Sequence, residues 1–354
     1  MNYKSLFWKM IAAVVGILGV IALFVAVVDP YFHYHAPHEN LHYRLADERY
    51  MNEGILSNFE YDAMITGTSM TENFKTSEFD ELFGVNSVKT SLEGSTYNEI
   101  NNLVEIALEE NPNLKLVLRG LDSSGLVVDK DEKWYSDAQW PEYLYDENPV
   151  NDVKYLLSES AVKRALMNCY MTVMNVPSTT FDEYANWNSQ RTFGSDVALS
   201  SYSRPEAVEE IYHLTEEEKQ MVLGNVQQNL TAVAAEYPDV TFYYYITPVS
   251  VLYWDKLHQQ GKIEWYIEAE KIAIEEMLQY PNIKLFSFCN YTDVVCDLNY
   301  YTDIAHHWEK TNSNLLRQMK NGNYLLTAEN YEAYLDFLYQ TYSNYDYESI
   351  FVSE

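Results

Sequence analysis

The sequence predicts an α/β protein with a mainly parallel sheet of about five strands, preceded by one apolar amino-terminal helix. Three observations carry this expectation. Short apolar runs of strand length recur beyond residue 61, amphipathic stretches with helix-capping signatures lie between them, and the first thirty positions contain one long uncharged run.

From Met10 to Val28 the chain reads MIAAVVGILGVIALFVAVV, nineteen residues without a charge. That is close to the ~20 residues a helix needs to cross a ~30 Å hydrocarbon core. Lys4 and Lys9 precede the run and Asp29 follows it, so residues 1–9 read as a cytoplasmic tail, 10–28 as a transmembrane anchor and the remainder as extracytoplasmic. The run is longer than the apolar region of a cleaved signal peptide and lacks an A-x-A-like site. Trp8, Tyr31 and Phe32 stand where interfacial aromatic anchors would. Residues 29–60, with Pro30, Pro37 and four histidines (His33, His35, His38, His42), show no clean period and read as a juxtamembrane linker leading into short helical pieces.

The predicted strands are Asp62–Gly67, Ser87–Leu92, Leu114–Leu121, Val240–Thr247 and Asn282–Phe288. Thr96 and Glu99 form a capping box that opens a crossover helix, on which Ile100, Leu103, Val104 and Leu108 share a face. Thr215 and Glu218 do the same for a helix expected to run through Ala235. Residues 262–279 supply the next crossover, and a last helix is expected around 328–341. The stretch from about 123 to 210 breaks the rhythm, is rich in Trp, Tyr, Asn and Ser, and reads as an insertion forming a lid or substrate wall, with helix near 152–170. The α/β domain is thus expected over 61–345, with 346–354 as a tail.

Composition narrows the function. The 354 residues carry 53 acidic against 23 basic side chains, a formal charge of −30 that disfavours nucleic-acid and other polyanionic partners. Cys169, Cys289 and Cys296 show no CxxC spacing and no accompanying histidines, so neither a zinc site nor any other metal or cofactor is called for. Cys289 and Cys296 are open to pairing or to remaining free thiols.

Two segments can carry chemistry. The first strand ends in Gly67-Thr-Ser69, and open α/β sheets bind ligands at the carboxyl ends of their strands. Near the other end of the chain, Tyr301-Thr-Asp303-Ile-Ala-His306 places an acid three residues before a histidine, with His307 as a rival base. A serine hydroxyl becomes a competent nucleophile when a histidine takes its proton, and that histidine needs an acid to fix its tautomer.

Gly67-Thr-Ser69 after the first strand, Gly94 after the second, Arg119-Gly-Leu-Asp122 after the third and the late Asp303-x-x-His306 resemble, in this order, the consecutive blocks of the SGNH/GDSL hydrolase superfamily. Gly67–Phe74, the Arg119-Gly-Leu-Asp122 strand end and Tyr301–His306, behind one span, are more narrowly similar to membrane-anchored members that modify cell envelopes, in teichoic acid D-alanine transfer and alginate-type O-acetylation. The resemblance implies a flavodoxin-like three-layer fold, Ser69 as nucleophile, His306 as general base and Asp303 as its orienting acid. It also implies an oxyanion site from Gly94 and the Ser69 N–H, a cell-envelope glycan or glycolipid substrate, and an integral-membrane acyltransferase as partner. Two positions depart from the pattern. Thr68 replaces the aspartate of Gly-Asp-Ser, and Asp122 stands where an asparagine amide would donate to the oxyanion, so Asn73, Arg119 or another N–H must replace that donor or the site has one fewer. Two functions follow: an extracytoplasmic serine acyltransferase or esterase, or a glycan-binding or assembly module that keeps the fold without the chemistry.

Overall fold

Five strands, β1 (Ala63–Thr66), β2 (Ser87–Lys89), β3 (Leu116–Leu121), β4 (Thr241–Ile246) and β5 (Ile283–Ser287), pair in the order β2-β1-β3-β4-β5, every pair parallel. Each lies inside the run predicted for it, and the fold is the expected α/β, flavodoxin-like one. This computed structural model describes residues 3–135 and 140–351.

Strand alternation sorts the core into two layers. On one face Ala63, Ile65, Leu116, Leu118, Tyr245 and Phe286 pack with Phe79 of the helix Thr76–Phe83 and with Leu315, Leu316 and Met319 of the helix Glu309–Lys320. Met64, Val117, Phe242, Tyr244 and Leu285 alternate with these and are equally buried. On that second face the Tyr244 hydroxyl donates to the Leu230 carbonyl at 3.0 Å. Both capping boxes form, opening the helices Tyr97–Glu110 and Glu216–Val226. The second does not run through Ala235 as one α-helix, because Gln227–Thr231 is a π turn before Ala232–Glu236. A π turn frees carbonyls from the i−4 ladder, and here those of Asn229 and Leu230 accept from the buried Arg119 guanidinium and from Tyr244.

The chain divides into two compact units, Tyr61–Trp134 with Ala185–Glu354, and Met1–Glu60 with Tyr135–Tyr184. The first contains the sheet. In the second, the apolar helix Tyr3–Val28 is long and apolar enough to cross a membrane. It stops at Asp29, which adopts a left-handed conformation and accepts from the backbone N–H groups of His33, Tyr34 and His35 and from the Tyr155 hydroxyl at 2.7–3.1 Å.

Residues 29–60 therefore differ from the expected linker. Tyr31 is buried and stacks on Tyr155 with ring centroids 5.4 Å apart, Tyr184 donates to Asn52 at 2.9 Å, and Met51, Ile55 and Leu56 of the helix Glu48–Asn58 are buried. The middle of the expected insertion, 135–184, belongs with these residues and not with the sheet. All three cysteines are free. Cys289 is buried, its thiol donating to the Thr247 carbonyl at 3.6 Å.

β1 leaves the sheet through Gly67 at φ 142°, where a Cβ would lie 2.6 Å from Thr71 Cγ2. Gly67→Ala is expected to destabilise the fold by about 2–4 kcal/mol, from strain at that φ together with the clash. Urea unfolding of G67A beside G67A/T71S measures the two parts. Removing Cγ2 while keeping the hydroxyl should restore only the steric share.

Candidate active site

The turn after β1 is held from several sides, which fixes the serine it presents. Ser69 opens a one-turn helix, Ser69–Glu72, with Thr68 at its N-cap. The Thr71 hydroxyl donates to the Thr68 carbonyl at 2.8 Å, Asn312 donates to the Met70 carbonyl at 3.0 Å, and the buried Lys89 ammonium donates to the Phe74 carbonyl at 2.9 Å and to that of Glu72.

The histidine comes from a loop braced in the same way. Tyr301 and His307 form an antiparallel bridge, Thr302 N–H donates to the His306 carbonyl at 3.0 Å, and the Ser250 backbone and hydroxyl both donate to the Ile304 carbonyl, at 3.0 and 2.8 Å. Ser250 follows β4, so the loop is tied to the carboxyl edge of the sheet.

These two supports bring three of the predicted residues into one chain of hydrogen bonds. Ser69 Oγ lies 2.8 Å from His306 Nε2, and His306 Nδ1 lies 2.8 and 3.0 Å from the two carboxylate oxygens of Asp303. Asp303 Oδ1 also accepts from the backbone N–H groups of Ala305 and His306, at 2.9 and 2.8 Å. Burial alone would lower the His306 pKa, but the hydrogen bond and charge of Asp303, aided by Asp122, reverse this and raise it above its ordinary 6.5. For Asp303 burial acts upward and is likewise outweighed by the contacts with His306, so its carboxyl sits below the usual range. The Asp303 side of the imidazole is therefore fixed as Nδ1–H donor, leaving Nε2 to accept from the serine.

His307 is excluded as the base. It is 1% exposed, and burial pushes its pKa down to about 4. Its ring lies edge-on to the buried Tyr301, a packing role.

A pocket of about 190 Å³ opens beside Ser69 and His306, lined by Gly94, Tyr97, Asp122, Trp134, Thr247 and Tyr253 among others. Gly94, the expected oxyanion glycine, is on that wall with φ 63°. The other two expected donors are not. Arg119 is fully buried on the second face of the sheet, donating to the carbonyls of Asn229 at 2.8 Å and Tyr97 at 2.9 Å. Burial of that guanidinium lowers its pKa, but both of its amino groups are spent on joining two elements. Asn73 accepts through Oδ1 from the backbone N–H groups of Trp187 and Asn188, both at 3.2 Å, and is absent from the pocket wall.

Asp122 does face the pocket. Its carboxylate accepts from the Thr68 hydroxyl and, at 3.0 Å, from that of Thr247, while burial raises its pKa against the effect of these bonds. The two positions that depart from the resembling motifs are thus hydrogen-bonded to each other.

Trp187 and Thr247 were not read from the sequence as site residues. Trp187 Nε1 donates to the Ser69 carbonyl at 3.0 Å, and its ring meets the His306 ring edge-on with centroids 5.5 Å apart. It lies in the stretch expected as a lid or wall, and its aromatic and Asn-rich surroundings are the one signal the sequence offers. Thr247 follows β4 immediately, a carboxyl-end position like that of Ser69.

No protein-family model matches the chain, and no curated protein matches it. A solved structure described as a "putative platelet activating factor" from Streptococcus pneumonia superposes with a TM-score of 0.39 and 13% identity, covering 77% of this chain and 90% of that one. So distant a likeness carries no inference about function.

The electrostatic account can be read directly by NMR titration of the His306 ring. The wild-type pKa is expected above 6.5. Asp303→Asn removes the dominant stabiliser of the imidazolium and leaves burial, so the value should fall below 6.5, whereas Asp122→Asn should lower it by a smaller amount. A wild-type value at or below 6.5, or no response to Asp303→Asn, contradicts it.

Proposed function

We propose that this protein is a serine-dependent esterase or O-acyltransferase, anchored by Tyr3–Val28 with its site on the extracytoplasmic side, acting on acyl groups of a cell-envelope polysaccharide or glycolipid. The observation that carries the reaction class is the continuous hydrogen-bonded chain Ser69–His306–Asp303 at the mouth of a pocket. The amino-terminal Lys4 and Lys9 support the orientation, and the aromatic wall of Tyr97, Trp134 and Tyr253 suits the stacking of sugar rings.

In this mechanism Ser69 Oγ attacks the ester carbonyl carbon while His306 Nε2 takes the hydroxyl proton. Asp303 stabilises the imidazolium without being protonated itself. The oxyanion of the tetrahedral intermediate is met by the N–H groups of Ser69 and Gly94, each donor of this kind contributing ~3–4 kcal/mol to lowering the barrier. The intermediate collapses as the imidazolium returns its proton to the departing alcohol oxygen, leaving the acyl group on Ser69. Water or an acceptor hydroxyl then attacks, loses its proton to His306 and releases the acyl group, regenerating the serine. Water gives an esterase; a glycan hydroxyl gives a transferase, for which an integral-membrane acyltransferase would be the donor.

The alternative, a binding module without chemistry, gives no reason for a serine hydroxyl to be aligned on a histidine that is itself aligned on an acid. Full-length protein in detergent should hydrolyse p-nitrophenyl acetate. Ser69→Ala should reduce kcat/KM by at least about 10³-fold and Asp303→Asn by about 10³–10⁴-fold. Turnover equal in wild type and Ser69→Ala, with glycan binding retained in both, would instead establish the module.

A further inference from the structure

Two helices of the same compact unit, Val153–Leu156 and Glu159–Val173, pack against the apolar helix Tyr3–Val28. The burial pattern shows where. Described residues of the apolar helix are exposed as far as Val20, whereas from Ile21 to Val28 all but Leu23 and Val27 are buried or half-buried, Val25 completely. At ~1.5 Å per residue that segment covers about 12 Å of helix. It belongs to the nineteen-residue uncharged run Met10–Val28. If that run spans the bilayer, the packed helices overlap its last eight residues and reach inward from the boundary between headgroups and hydrocarbon.

The free face of Glu159–Val173 changes along its length to suit that depth. Its first turns expose Glu159 and Lys163, which pair with each other. Its second half exposes Leu166, Met167, Tyr170 and Val173, spaced to share one face, and the apolar surface continues through Met174 and Val176. Val173 is 83% exposed and Tyr170 58%, while Ala161, Ala165, Asn168 and Met171 on the opposite side are buried. The apolar end is also the end joined to the exit of the apolar helix. His42 N–H donates to Thr172 Oγ1 at 2.8 Å, the His42 ring contacts the Val176 carbonyl, and the His38 ring lies 3.1 Å from the Val27 carbonyl.

We infer that the face running from Leu166 to Val176 is a second membrane contact, lying in the lipid interface beside the anchor. It rests on the reading of Tyr3–Val28 as a span. Its occupant is the acyl-chain and glycerol region of the bilayer, since the face offers apolar side chains with one tyrosine and the chain's charge of −30 provides no attraction to anionic headgroups. Two contacts fix the rotation of this unit about the anchor, which one helix alone leaves free.

The test uses the full chain in phosphatidylcholine vesicles, with Cys169 and Cys296 replaced by Ser and bimane attached at Tyr170→Cys, Val20→Cys or Glu217→Cys. Phosphatidylcholine carrying a doxyl quencher should dim the label at 170 about twofold or more, and aqueous iodide should quench it several-fold less than at 217, as burial in the interface requires. If the label at 20 is quenched by lipid while the label at 170 responds to iodide as strongly as that at 217, the second contact is refuted and the span stands. If the label at 20 is not quenched by lipid, the span fails and the inference with it. A label at 170 shielded from both quenchers places protein, such as a second copy of the chain, on this face and overturns the proposal.

Discussion

The hydrogen bond from Ser69 to His306 joins side chains 237 positions apart, and the rest of the site is arranged around making it short. A serine and a histidine on freely moving loops would spend little time at 2.8 Å, so each partner is immobilised separately. On the serine side, Gly67 allows the chain to turn where a side chain would clash, and Thr71, Asn312 and Lys89 saturate the carbonyls of the turn. On the histidine side, the bridge between Tyr301 and His307 and the bonds from Ser250 hold the loop against the residues that follow β4. Trp187 then reaches both, donating to the Ser69 carbonyl and covering the His306 ring. The sheet order matters because it makes β1 and β3 neighbours at the point where the chain reverses direction across the sheet, so that Ser69 and Asp122 emerge on one edge.

Thr68 and Asp122 are better understood together than as two separate departures from a motif. The hydroxyl of Thr68 is the donor and the carboxylate of Asp122 the acceptor of one bond between them. The consequence is electrostatic. The Asp122 carboxyl raises the basicity of His306 through its charge.

What could be read from the sequence was local or ordered along the chain. The strands are short apolar runs, and Thr96 and Thr215 announce their helices by capping chemistry completed within three residues. Ser69, Asp303 and His306 were legible because motif order along the chain follows strand order. Two kinds of feature were not. The side-chain direction of Arg119 is hidden because a parallel strand covered on both faces shows no polar alternation, so nothing marks which face the guanidinium enters. The assembly of 29–60 with 135–184 depends on aromatic pairs such as Tyr31 with Tyr155, whose partners are separated by most of two other segments and follow no period.

The central claim is that Ser69 is an activated nucleophile, and a fluorophosphonate probe tests it most directly because it reacts with the serine without requiring knowledge of acyl group or acceptor. Full-length protein incubated with the probe and digested should carry the phosphonyl adduct on the peptide containing Ser69, and the adduct should disappear in Ser69→Ala and in a His306→Ala variant that remains folded. Absence of any adduct on Ser69 in wild-type protein, or labelling undiminished by loss of His306, would contradict the account.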